Sequence, residues 1–312
     1  MRNVSRFLVL VLFEFVVFPA GGVAQGAKTT GEPGDIHRYE LLVQQPTEAN
    51  NGAAWWKLAM LYQDAARYAE SEHAYRRAIE LLRTSDALTQ ANLMDNLGTM
   101  YVETARYTDA EQLEQKALAI RKDRKDSLGI GLSWMHLAML SLGRHQNADG
   151  EMYAELAVSR LVPDRRIGTE NDFATPEQKM TALIYLSLAR CATHDCAEAL
   201  PPLKKAMTIA EANYPSQGLP LAYIGFLEGY AEWKRGDIRS AARLMKSGTA
   251  AMEAQLGWGH PTYISAMRQY EHFLVATRQN AEAAEIREKL ARSSVPQPTA
   301  QSARSEGILA LP

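Results

Sequence analysis

The chain has 312 residues, with 34 basic side chains against 36 acidic ones and 46% apolar residues. That length is enough for one elongated or two compact domains with a sizeable core. The near balance of charge gives no electrostatic case for a nucleic acid partner, which wants a clustered basic surface. Alanine is abundant and β-branched runs are few, which favours helices over strands.

The chain opens with MRNVSR, which carries Arg2 and Arg6, followed by the almost wholly apolar FLVLVLFEFVVF and then PAGGVAQ. A basic start, an apolar stretch of about a dozen residues and small residues at a cleavage site describe a secretory signal. The expected signal is residues 1–24, with Gly22 and Ala24 in the small-residue subsites. Glu14 interrupts the apolar stretch, where a carboxylate is costly in hydrocarbon. The apolar segments on either side of it are shorter than the roughly 20 residues that span a bilayer. The expected location is therefore the periplasm or the exterior, free of the membrane after cleavage. The alternative is an uncleaved N-terminal segment that anchors the chain. Residues 25–52 read as a polar linker holding one short helix over 35–44, capped by Asp35 and ended by Pro46.

From Ala53 to about residue 292 the pattern is helical nearly throughout, and it repeats. WWKLAMLY supplies Trp55, Leu58, Ala59 and Tyr62, followed by Tyr68, Ser71, Tyr75 and Ala78. The next copy supplies Met94, Leu97, Gly98 and Tyr101, then Tyr107, Ala110 and Ala117. WMHLAMLS supplies Trp134, Leu137, Ala138 and Ser141, then Gly150, Ala154 and Ala157. Weaker copies follow around Leu186 and Ser187, Glu228 and Gly229, and Tyr270 and Leu274. The Leu-type positions 58, 97, 137, 186, 228 and 270 are spaced by 39, 40, 49, 42 and 42 residues. The long interval contains RRIGTENDFATP, an expected insertion near 163–176. On each first helix the large residues share one face, and the small residue after the Leu admits the second helix. One such pair cannot bury its face alone, so neighbours stack. Pro201 and Pro202 fall in the second helix of the fourth copy, which must therefore kink or begin late. Residues 293–312, rich in Ser, Pro, Gln and Ala, read as a disordered tail.

This beat of large and small residues resembles the tetratricopeptide repeat family. With a spacing near 42 it is most similar to the long repeats of kinesin light chains and their bacterial relatives. The resemblance implies an all-α solenoid of about six helix-turn-helix repeats wound into a right-handed superhelix. It also implies that first helices line a concave groove that binds a protein or peptide. One step round from the core face, the groove residues would be Trp56, Met60, Asp95, Asn96, Thr99, Met135, Met139, Tyr223, Phe226, Tyr230, Trp233 and Arg268. Trp56 and Met60 stand where a chaperone-type carboxylate clamp needs Lys and Asn, and only Asn96 fits the Asn ladder of long-repeat relatives.

Motifs for chemistry are missing: there is no H-E-x-x-H, no G-x-S-x-G and no G-x-x-x-x-G-K. GIGLSW (129–134) places Trp134 where a dinucleotide loop needs its third glycine. His136 and His272 could face the groove, while Glu103, Asp109 and Glu111 read as solvated charges. Cys191 and Cys196 in CATHDC straddle a turn; they form a disulfide, or are free core thiols, or belong to a metal site recruiting His194 and Asp195. The expectation is an exported, non-catalytic scaffold or adaptor with no cofactor and no metal. The rivals are a small-ligand sensor using an aromatic groove from Tyr223 to Trp233, and an enzyme on the same scaffold.

Overall fold

The computed structural model describes residues 33–65, 67–163, 174–216, 218–258 and 260–291. The expected signal (1–24), most of the linker, most of the insertion near 163–176 and the tail (293–312) lie outside the described residues.

Among the described residues all regular structure is helical. The order is α1 (Pro33–Gln44), α2 (Gly52–Asp64), α3 (Tyr68–Leu81), α4 (Ala87–Glu103), α5 (Tyr107–Asp123), α6 (Ser127–Gly143) and α7 (Asn147–Leu161). Then come α8 (Pro176–Thr193), a 3-10 turn (Cys196–Ala199), α9 (Leu200–Asn213), α10 (Leu219–Arg235), α11 (Ile238–Leu256), α12 (Pro261–Ala276) and α13 (Asn280–Ala291). The fold is all-α and repetitive. It divides into two compact units, with the boundary between Leu140 and Ser141 inside α6. None of the described helices is long and apolar enough to cross a membrane.

In the first unit, α2 packs on α3 and α4 on α5. Leu58, Ala59, Leu61 and Tyr62 of α2 are buried with Ala74, Tyr75 and Ala78 of α3. The Ser71 hydroxyl donates to the Ala59 carbonyl at 2.9 Å, so the two backbones come close at that small residue. The short helix α1 starts at Pro33 rather than being capped by Asp35, which lies in its first turn. It packs on α2, where Glu40 accepts from the Tyr62 hydroxyl at 2.7 Å. In the second unit α8 packs between α7 and α9, α10 on α11, and α12 on α13. At Gly229 an added Cβ would stand 2.9 Å from the Met245 amide nitrogen, so only glycine permits the approach of α10 to α11.

A single turn closes most first helices. After α2, α4, α6, α10 and α12, the amides of Arg67, Arg106, Gln146, Asp237 and Gln279 bond to carbonyls five residues back, at 2.7–2.9 Å. Ala105, His145, Gly236 and Arg278, each just before its bonded amide, adopt positive φ. This is the left-handed cap that satisfies terminal carbonyls of a helix. The fourth copy departs from it. His194 caps α8 outside the left-handed region, Asp195 caps the 3-10 turn through the Ala197 amide at 3.0 Å, and a disulfide joins Cys191 to Cys196. The second helix then begins late, at Leu200, which puts Pro201 and Pro202 in its first turn where no amide donor is required.

A thiol titration of denatured protein should find no free thiol before reduction and two afterwards. Cys191→Ser/Cys196→Ser should lose about 2 kcal/mol of stability in urea unfolding, the closure entropy of a six-residue loop. Two free thiols in unreduced, freshly purified protein would contradict the bond.

Candidate functional site

The unburied side of α2 and α4 is built by offset from the core stripe. Each residue advances 100° round a helix, so residues beside the stripe emerge at its margin. Trp56, Met60 and Gln63 of α2 and Asn96 and Thr99 of α4 are half-buried there, and Asn92 is exposed. The two helices are tied on this side. Gln63 donates through Nε2 to Glu103 Oε1 at 2.8 Å and accepts from the Tyr75 hydroxyl at 2.8 Å. Burial pushes the Glu103 carboxyl up to about 7, and the charge of Asp64 adds to this against the Gln63 hydrogen bond. The sequence reading of Glu103 as a solvated charge is thereby corrected: it is half-buried.

The corresponding surface of the second unit is smaller than the sequence suggested. Trp233 and Arg268 are half-buried, and His272 is exposed. Trp233 meets Tyr230, His272 and Phe273 edge-to-face, with ring centroids 5.6, 5.6 and 5.5 Å apart, and Lys234 Nζ stands 4.2 Å from its ring centroid. Tyr223, Phe226 and Tyr230 are buried, at 5%, 0% and 3% exposure. The aromatic groove expected from Tyr223 to Trp233 is therefore closed except at Trp233. The reason is that α10 is apolar almost all round and is covered by α9, the 3-10 turn and α11. Met135 and Met139 are buried for the same reason, since every residue from Met135 to Gly143 of α6 is inside. Two cavities of the first unit are lined by residues other than those of the expected groove. One, of about 380 Å³, is lined by Arg76, Leu97, Tyr101 and Leu113; another, of about 400 Å³, by Trp55, Leu58, Tyr62 and His73.

Asp95 was expected in the groove, but it is 3% exposed. One step round from Asn96, it turns inward to a cluster of charged side chains contributed by α4, α5 and α6. Arg121 is fully buried. It forms an ion pair through Nη2 with Asp95 and donates to Asn92 Oδ1 at 2.7 Å, Ser133 Oγ at 2.7 Å and the Gly129 carbonyl at 3.1 Å. Glu114 is equally buried, pressed against Gly98, where an added Cβ would come 2.6 Å from its Oε1. His136, expected at the groove, is also inside. Its Nδ1 stands 3.4 Å from Glu114 Oε2 and 3.8 Å from Asp95 Oδ2. Burial, and then the charge of Asp95, pushes the Glu114 carboxyl up to about 8. Burial opposes a charged imidazole, yet Glu114 and Asp95 draw His136 up to about 10. Against its own burial, the Asp95 carboxyl is held low by His136 and Arg121. Sequence reasoning missed Glu114 and Arg121, although a signal existed. Ala110, Glu114, Ala117 and Arg121 stand at i, i+4, i+7 and i+11, one inward stripe of α5.

Residues 51–123 match the tetratricopeptide repeat family. None of the curated proteins matches the chain. Among solved structures, the apo form of RapI superposes with a TM-score of 0.59 at 14% identity, covering 87% of this chain and 69% of that one. A form of the nearly identical TPR-like repeats of a putative kinesin light chain from Podosopora anserina gives 0.52 at 15% identity, covering 66% and 97%. BtubC (BKLC) from P. vanneervenii gives 0.53 at 17% identity, covering 71% and 88%. At these identities the likeness concerns the fold: an all-α repeat of tetratricopeptide type.

The raised pKa of Glu103 has a definite sign for stability. The folded chain keeps a proton that the unfolded chain, with an ordinary carboxyl near 4.5, has already released. The stabilising share is therefore complete below about 4.5 and is lost as pH rises through about 7. In urea unfolding followed from pH 4.5 to pH 8, Glu103→Gln should decline less steeply than the parent chain. Parallel profiles would show that Glu103 titrates like a solvated carboxylate.

Proposed function

We propose that this tetratricopeptide-type repeat chain is an exported, non-catalytic scaffold or adaptor that binds a protein or peptide through the open sides of its first helices. The observation that carries the reading is the set of large side chains left half-exposed on those helices: Trp56 and Met60 in one unit, Trp233 and Arg268 in the other. Trp, Met and Arg are the residue types enriched at interface cores, and Trp and Arg dominate binding hot spots. Asn96 and Thr99 beside the first pair offer the polar contacts that fix an extended backbone. The convergent set of titratable groups in the first unit is enclosed in its core, out of reach of a substrate, which favours binding over catalysis. Export is supported by the basic, apolar and small-residue order of residues 1–24. The single pair of cysteines, bonded to each other, is in keeping with an oxidising compartment.

Two measurements test this. Intact mass and N-terminal sequencing of protein from the native host should find a chain beginning at Gln25; a chain that keeps Met1 would refute cleavage. In a pull-down from native extract, Trp56→Ala/Met60→Ala or Trp233→Ala/Arg268→Ala should lose partners that the parent retains. Hot-spot truncations of this kind cost about 2 kcal/mol or more, roughly a 30-fold loss of affinity. If both double variants keep the parent's helical circular dichroism and retain every partner, the assignment of the binding surface fails.

A further inference from the structure

The charged cluster in the first unit has features that packing does not explain. Asp95 of α4, Glu114 of α5 and His136 of α6 each bring one metal-ligand type atom to a common point, all within 4.8 Å of one another. The Nδ1 separations of 3.4 and 3.8 Å exceed an ordinary hydrogen bond. The 3.4 Å separation matches instead the edge of a coordination polyhedron, since two donors each about 2.0–2.1 Å from a tetrahedral ion stand about 3.3–3.4 Å apart, and the 3.8 Å separation would have to close by a few tenths of an ångström.

The hydrogen-bond accounting points the same way. Both oxygens of Glu114, Oδ1 of Asp95 and Nδ1 of His136 are enclosed, yet none has a hydrogen-bond partner among the described residues. Buried carboxylates without partners are rare in folded proteins. Arg121 does not supply the lack. Its Nη groups are taken by Asp95 Oδ2, Asn92, Ser133 and the Gly129 carbonyl, so it grips Asp95 from one side and leaves Oδ1 and Glu114 to each other. A divalent ion also fits the charge balance. Asp95, Glu114 and Asp126, whose Oδ2 lies 3.8 Å from Arg121 Nε, oppose the single positive charge of Arg121. With the imidazole neutral and Glu114 ionised, as metal ligation requires, the set is short of two positive charges, the charge of one divalent cation; without an ion, protons on His136 and Glu114 close the same balance.

We propose that Asp95, Glu114 and His136 bind one divalent transition-metal ion, which pins α4, α5 and α6 together. One imidazole and two carboxylates suit Zn²⁺ or Mn²⁺ and do not suit a thiophilic ion such as Cu⁺. The unpaired second oxygens of Glu114 and Asp95 allow either carboxylate to bind in bidentate fashion and complete the coordination. Gly98 belongs to the site as the residue whose missing Cβ leaves room for Glu114. Because the ligands are enclosed, the ion enters during folding.

The full chain is unfolded in urea with a chelator and refolded with or without one equivalent of Zn²⁺ or, separately, Mn²⁺. After desalting, the metal content per chain and the thermal midpoint are measured. One ion per chain is expected, with a midpoint several degrees above that of metal-free protein, by linkage of binding to folding. His136→Gln and Glu114→Gln, each refolded in the same way, should lose at least tenfold in occupancy while keeping helical circular dichroism. A wild-type chain that retains neither ion and shows no shift overturns the proposal, as does a folded His136→Gln chain that binds as much as the parent. If neither variant folds, Co²⁺ in the wild-type chain decides. Intense visible bands of a low-coordinate site support the proposal, and the weak spectrum of the hydrated ion overturns it.

Discussion

Everything in this molecule hangs on how closely two helices can approach at one small residue. In successive first helices the position after the Leu, or after Glu228 in the fifth copy, is Ala59, Gly98, Ala138, Ser187 and Gly229, and each is buried. A side chain without bulk there lets the second helix lie against backbone, and the buried small residues of the second helices (Ala78, Ala117, Ala157, Ala206 and Gly248) allow close approach from their own side. Once that distance is fixed, the large residues one turn away must interdigitate in one register. The turn between the helices must then reverse the chain in very few residues, which the left-handed cap achieves.

That constraint also decides which residues are left for recognition. A helix gripped on one side keeps its opposite margin, as α2 and α4 do, and side chains such as Trp56, Met60, Asn96 and Thr99 emerge there. A helix covered on nearly all sides keeps almost none. Much of α6 and most of α10 belong to the second kind, so their Met and aromatic residues serve as filling. The distinction is visible in the sequence: α10 and α6 carry apolar or small residues on every face, whereas α4 alternates its apolar stripe with Asn, Thr and Gln.

The repeat was legible because its period rests on residue size, which the sequence displays directly. The late start of α9 was legible from Pro201 and Pro202, since proline excludes itself from a helix interior. The groove was only half legible. Asp95 and Asn96 are neighbours in sequence, and a 100° step puts one inside and the other at the margin, so a reading one residue out misplaces the side chain entirely. Glu114 and Arg121 escaped because a charge on an amphipathic helix is normally a surface residue. Their true place shows only when α5 is read by its alanines, Ala110 and Ala117, which put both charges on the inward stripe.

The turn in the fourth copy illustrates how such a scaffold tolerates departures. The left-handed cap needs the chain to reverse immediately and start a helix whose first amides are free to be capped. Pro201 and Pro202 push the second helix later, so the reversal must be spread over more residues, and a 3-10 turn fills the interval. That longer connection lacks the bond from an amide to the carbonyl five residues back that closes the compact cap. The disulfide sits across this same interval, from the last turn of α8 to the first residue of the 3-10 turn. It supplies by covalent closure what hydrogen bonds supply after α2, α4, α6, α10 and α12. The cysteine pair and this irregular turn are therefore parts of a single solution, and Ala206 of the fourth helix pair stays fully buried despite the altered route into it.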